Sequence, residues 1–223
     1  MVKIILCDEV REERCRTRRS TRRGHGRKLS APPQKLFNRR GFDAVTIGDV
    51  MVQAGLTHGG FYRHFASKDE LYAEAVRHFL RQEAYPRWQK GRGGAGSPFA
   101  RLVLDAYLSR DHLDDVAGSC PLIALSSDAA RASGAVKAAY REVAEAMIDL
   151  FRAELKGREA REHAMVLVAL CVGAMVLARA LDDEELSNDF LDVSRRHALT
   201  AAGWRRRPSR VSRSAVDPPR TVR

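Results

Sequence analysis

The chain has 223 residues, of which 44% are hydrophobic, 30% charged and 7% aromatic, and it carries a net charge of +11. That apolar share excludes disorder along the whole chain and suits one large domain or two small ones built on a buried core. Four cysteines with no CxxC pair exclude a disulfide scaffold and argue against structural zinc, so a reducing, cytoplasmic setting is expected.

The charge is uneven. Residues 1–40 hold 13 Lys or Arg against 4 Asp or Glu, residues 203–223 hold 7 against 1, and the stretch between them holds 19 against 23. A mildly acidic body with two basic arms points to a polyanionic partner, most simply double-stranded DNA, bound with release of counterions. In chain order, Val2–Cys7 is too short for the apolar region of a signal peptide, and Asp8 and Glu9 end it, so no export is expected. Residues 1–27 read as a basic N-terminal arm, and residues 204–223, broken by Pro208 and Pro218-Pro219, as a basic disordered tail. Pro32-Pro33 lets a helix begin only near Pro33, which leaves about two turns before Gly41.

Residues 28–83 read as a helix-turn-helix DNA-binding domain, with the motif itself at 46–65. Thr46 stands as an N-cap with Asp49 three residues on, and Ile47, Val50, Met51 and Ala54 form one apolar face of a short helix. Gly55 suits the positive φ of a tight turn, and Thr57 caps a second short helix reaching about Arg63. Glycines at 59 and 60 weaken that helix by roughly 1 kcal/mol each relative to Ala, a cost that makes sense where backbone must approach a partner surface closely. His58, Gly59 and Gly60 would meet base edges. Thr46, Thr57, Tyr62, Arg63, His64 and Lys68 complete the expected DNA-contacting set, with Phe61 and Phe65 in the core. Ser67-Lys68-Asp69-Glu70 reads as a capping box opening a long helix to about residue 90, whose N-terminus and Lys68 would together hold a phosphate.

Residues 84–203 read as a larger helical domain. Gly91-Arg92-Gly93-Gly94-Ala95-Gly96 follows no strand and lacks a GKS or GKT ending, so it is a linker and not a phosphate cradle. Apolar positions recur at helical spacing through Phe99–Tyr107 and Val136–Leu150. The run Ala164–Ala178 is shorter than the ~20 residues of a membrane span and reads as a buried helix. No stretch alternates at period two, so the chain is expected to be all-α. There is no GxSxG, HExxH or paired-carboxylate pattern, and neither an enzyme nor a cofactor or metal site is expected.

Lys35-Leu36-Phe37, Gly41-Phe42, Thr46-Ile47, Ala54-Gly55-Leu56, Gly59-Gly60-Phe61-Tyr62-Arg63-His64-Phe65 and Lys68-Asp69-Glu70-Leu71 together resemble the DNA-binding domain of TetR (AcrR-like) transcriptional repressors across residues 35–80. The resemblance implies a three-helix DNA-binding domain followed by a helical half for ligand binding and dimerisation. The last two long helices, near 159–181 and 186–202, would build a four-helix interface in a homodimer. It also implies a palindromic operator and release by an apolar small molecule, with no membrane partner. Pocket candidates are Trp88, Phe99, Leu102, Tyr107, Cys120, Tyr140, Met147 and Met175. Gly118-Ser119-Cys120-Pro121 resembles a motif found at a helix start in some of these repressors; there Cys120 is either a thiol activated by the helix N-terminus or a half-buried structural residue. Upstream of Lys35 the pattern is lost, and residues 1–31 read either as an arm reaching DNA or as following a start that is not the natural one. Non-specific nucleic-acid binding, or activation through the same domain, are the alternatives to repression.

Overall fold

The computed structural model describes residues 33–55, 61–62, 64–84 and 99–204, and every regular element among them is helical. The expected N-terminal arm, nearly all of the expected tail and the Gly-rich linker lie outside the described residues. In order the elements are α1 (Pro33–Arg40), α2 (Ile47–Ala54), α3 (Lys68–His78) running on as a π-helical segment (Phe79–Ala84), α4 (Phe99–Tyr107), α5 (Arg110–Asp114), α6 (Pro121–Ala124), α7 (Ser126–Arg131), α8 (Gly134–Arg152), α9 (Ala160–Ala180) and α10 (Glu184–Ala201).

The helix starts follow from local chemistry. Proline lacks the N–H that a first helical residue cannot use in any case, and α1 and α6 both begin on one. Thr46, Ser67, Ser109 and Asp183 each accept a backbone N–H three residues ahead, at the heads of α2, α3, α5 and α10. At α2 the capping box is complete. At α3 it is shifted: Ser67 accepts the Glu70 N–H at 3.1 Å, but the Glu70 carboxylate accepts from Ala66, one residue before the cap, at 2.7 Å. The expected single helix from 67 to about 90 is likewise changed, since the α-helix stops at His78 and widens into the π-helical turn. Gly55 closes α2 at φ 66°, with its N–H directed to the carbonyls of Met51 and Val52.

Tertiary packing centres on α3, which buries Leu71, Tyr72, Ala73, Ala75, Val76 and His78 and so is covered on more than one face. One face takes α1 and the turn after it through tilted aromatic pairs: the Tyr72 ring lies 4.7 Å from Phe37 and 4.8 Å from Phe42. Another lies along α8, where the Arg77 guanidinium Nε sits 3.1 Å from both carboxylate oxygens of Glu142. α9 packs on α8 and turns through Leu181–Asp183 into α10, as a helical hairpin.

The sequence reading of α9 as a buried helix needs correction. Ala164, Leu167, Val168, Cys171, Ala174, Met175 and Ala178 face inward, while Val166 is 60% exposed, Leu177 50%, and Met165 and Val176 are also exposed. Its 21 residues, with a mean hydropathy of 2.0 over the most apolar 18, make it the one helix among the described residues long and apolar enough to cross a membrane by length and composition. The inward face is satisfied by α8 and α10, and the outward face has no cover among the described residues.

Phe37 is fully buried in a cluster with the rings of Tyr72 and Phe42. Phe37→Ala is expected to destabilise the fold by about 3–5 kcal/mol, measured as a lower denaturant midpoint.

Candidate nucleic-acid interface

The start of α2 is tightly held. Thr46 Oγ1 accepts the Asp49 N–H at 3.0 Å and donates to Asp49 Oδ2 at 2.8 Å, and the Thr46 N–H donates to that same oxygen at 2.8 Å. The Thr46 N–H and hydroxyl, with the Arg40 guanidinium, hold the Asp49 carboxyl below its ordinary range. Thr46 is exposed, but its hydroxyl is engaged in starting the helix.

Beyond Gly55, residues 56–60 and 63 are outside the described residues, and with them Thr57, His58, Gly59, Gly60 and Arg63 of the expected contact set. What flanks them is defined. Phe61 is fully buried and Phe65 nearly so, their ring centroids 5.7 Å apart, as expected for core residues one helical turn apart. Tyr62 is 62% exposed and meets the Phe61 ring edge-on. The His64 N–H donates to the Phe61 carbonyl, closing the turn ahead of α3. The segment is therefore pinned from below by two phenylalanines and presents Tyr62 outward.

Lys68, in the first turn of α3, sits with Nζ 4.1 Å from the centroid of the Phe42 ring. Sequence reasoning singled out Lys68 but not the platform beneath it; Phe42 stood in the motif only as an apolar residue, and nothing in the chain spacing shows that the two side chains meet. The contact holds a cation at the positive end of α3, where an anion would also feel the helix dipole.

The expected effector residues divide. Trp88 lies outside the described residues. Phe99, Tyr107, Cys120, Met147 and Met175 are buried, and Tyr140 is half-buried with its hydroxyl donating to the Leu122 carbonyl at 3.0 Å. Leu102 is a correction: it is 44% exposed, because α4 turns Phe99, Ala100, Val103, Leu104 and Tyr107 inward and Leu102 falls off that stripe.

Tyr107, Cys120, Cys171 and Tyr140 influence one another's ionisation and form one neighbourhood in the core. Burial pushes the Cys120 thiol up to about 11, Cys171 up to about 12 and the Tyr140 hydroxyl up to about 12, and drives Tyr107 up as well. An activated Cys120 is thereby corrected, since desolvation outweighs any lowering by the α6 N-terminus. The half-buried alternative also underestimates its burial. The Tyr107 hydroxyl is buried beside the Cys120 thiol.

A capped helix, a left-handed glycine and a Phe-pinned second segment, seated on a three-element platform, define a helix-turn-helix DNA-binding domain at the head of a helical bundle. Residues 34–75 match the family described as "Bacterial regulatory proteins, tetR family". Residues 34–75 therefore carry a TetR-type DNA-binding domain, and the helical body behind it has the fold of solved TetR-family regulators. The HTH-type transcriptional repressor KstR2 of Mycobacterium tuberculosis (strain H37Rv) is 35% identical over 83 residues, 37% of this chain and 40% of that protein. The chain thus matches well under half the length of that relative. Among solved structures, E. coli NemR in its reduced form superposes with a TM-score of 0.63 at 21% identity, covering 77% of this chain and 93% of that one. A TetR transcriptional regulator from Chloroflexus aurantiacus gives 0.61 at 23% identity, covering 86% and 95%.

With both described thiols buried and protonated, maleimide at pH 8 is expected to label neither Cys120 nor Cys171 in the native chain and both in denaturant, read by peptide mass spectrometry.

Proposed function

We propose that the chain is a homodimeric transcriptional repressor that binds a palindromic operator and is released by a small molecule. The observation that carries this reading is the geometry around Gly55: a capped α2, a left-handed turn, and a following segment whose aromatic underside is buried while Tyr62 faces out. His58, Gly59 and Gly60 then read base edges. Thr57, Tyr62, Arg63, His64 and Lys68 hold phosphates, and Thr46 contributes through the helix start that it caps. The repressor named KstR2, similar over this part of the chain, supports repression over activation.

Dimerisation is supported by the uncovered side of the α9–α10 hairpin. Met165, Val166, Val176 and Leu177 on α9 continue into Leu186 and Val193 on α10, which makes an apolar face suited to a second copy of the same hairpin. In that dimer α9 is covered by protein on both sides, with no need of a lipid partner, and the regulator works in the cytoplasm. The DNA-binding domain spans 28–83 and the effector and dimerisation domain 84–203. The effector lies among Phe99, Tyr107, Cys120, Tyr140, Met147 and Met175. These are neutral, and all but the half-buried Tyr140 are buried, so the molecule is apolar and uncharged. By favouring one spacing of the two reading heads it shifts the population away from the DNA-competent state.

Two measurements test this reading. Lys68→Ala is expected to weaken binding to every duplex alike and to lower the salt slope by about 1, whereas His58→Ala costs about 1–3 kcal/mol on the selected operator and relaxes its base preference. Mobility shifts matching the unmutated protein for both variants would overturn the site assignment. Leu177→Asp places a charge on the α9 face and is expected to convert the dimer to monomer in sedimentation; an unmutated chain that is itself monomeric sinks the assembly.

A further inference from the structure

The DNA-binding helices meet the sensor helices at a buried polar contact, apart from the Arg77–Glu142 pair and the Phe42 N–H bond to Asp128 Oδ2. Asn38 Nδ2, on α1, donates to the carbonyl oxygens of Ala117 at 3.0 Å and Ser119 at 2.8 Å. One turn earlier, Gln34 Nε2 donates to the same Ser119 oxygen at 3.2 Å. All three side chains, Gln34, Asn38 and Ser119, are buried. Three hydrogen bonds from α1 thus converge on the turn at 117–119, just ahead of α6. The turn is closed by the Gly118 N–H donating to Asp115 Oδ1 at 2.8 Å, and a Cβ at Gly118 would collide with that carboxylate.

The same turn is gripped from the other side by α9. Arg179 Nη1 donates to Ser119 Oγ at 2.9 Å, while Nε and Nη2 donate to the Leu113 carbonyl at 3.2 and 2.9 Å and Nη2 to the His112 carbonyl at 3.0 Å. Among the described residues Arg179 has no ion-pair partner within 4.0 Å, so its whole fork is spent on the end of α5 and on Ser119. On the α1 side, Gln34 Oε1 and Asn38 Oδ1 are buried without a donor among the described residues. A junction with orphaned acceptors is poorly satisfied in itself and holds its geometry only as long as the turn is held.

We propose that Arg179 and Ser119 are positioning residues for DNA binding: a latch through which α9, the helix with the uncovered apolar face, sets the placement of α1 and so of the helix-turn-helix. Neither residue touches DNA in this scheme. The latch rests on the reading of the first domain as DNA-binding for its consequence, but not for its existence. Movement of α9 or of the end of α5 displaces Ser119, whose carbonyl carries two of the three bonds from α1.

The test uses the full chain with Arg179→Met, which keeps the bulk and removes the donors, and the milder Ser119→Ala, which removes only the hydroxyl. Hydrogen exchange read by mass spectrometry is expected to show α1 amides exchanging about tenfold faster in Arg179→Met and several-fold faster in Ser119→Ala, with α10 unchanged. Affinity for the duplex selected from random oligonucleotides by the unmutated chain should fall about tenfold in Arg179→Met with an unchanged salt slope, since no phosphate contact is lost. If Arg179→Met fails to fold, Ser119→Ala decides alone. Unchanged α1 exchange in the folded variants, or loosening confined to α5, overturns the latch and leaves Arg179 as a simple cap. An unmutated chain that selects no duplex overturns the DNA-binding reading, while the exchange data still decide the latch.

Discussion

The covering of α3 on several faces is the constraint on which the rest of the structure depends. A helix of eleven residues with six of them buried sits inside one continuous core that reaches from Phe37 to Trp204. Tyr72 closes the aromatic cluster with Phe37 and Phe42 that holds the DNA-binding helices together, and the Arg77–Glu142 pair ties the same helix to α8. Because interiors are close-packed, a helix set in this core cannot shift toward one half of the chain without being felt in the other. The two halves of the chain are therefore mechanically joined before any ligand or DNA is considered.

The junction at Ser119 complements that apolar joint with a directional one. Burial of rings sets how closely the helices approach, but is tolerant of sliding; hydrogen bonds to two backbone carbonyls set register. A charged residue in this place is informative. Arg179 lies in the last turn of α9, a long helix that is otherwise apolar from Ala164 to Ala178. Its donors answer carbonyls at the end of α5, which a helix end leaves without partners.

Much of this was legible from residues alone. The Thr46 cap, the helix to Ala54 and the left-handed Gly55 are dictated within a few residues of chain, and they stand as read. So do the start at Pro33 and the burial of Phe61 and Phe65. The departures have a common cause. Glu70 chose the Ala66 amide over that of Ser67, Leu102 fell off the inward stripe of α4, and Cys120 lost to desolvation what a helix N-terminus would have offered its thiol. In each case a neighbour or a burial depth, invisible to local spacing, outweighed a local rule. The short helices α5 and α7 were missed because five and six residues are too few for a period to show, whereas the start of α6 at Pro121 was read from its motif.

Sequence by itself determined that this protein is helical, that it starts its reading motif at Thr46, and that its body is far less basic than its ends, because caps, turns and charge are properties of neighbouring residues. Only the tertiary structure decided which side of α9 stays uncovered, that Lys68 rests on Phe42, and that Gln34, Asn38 and Arg179 converge on one buried serine from 60 to 85 residues away. Contacts across such separations depend on how helices are oriented once packed, and no periodicity in a chain records that orientation.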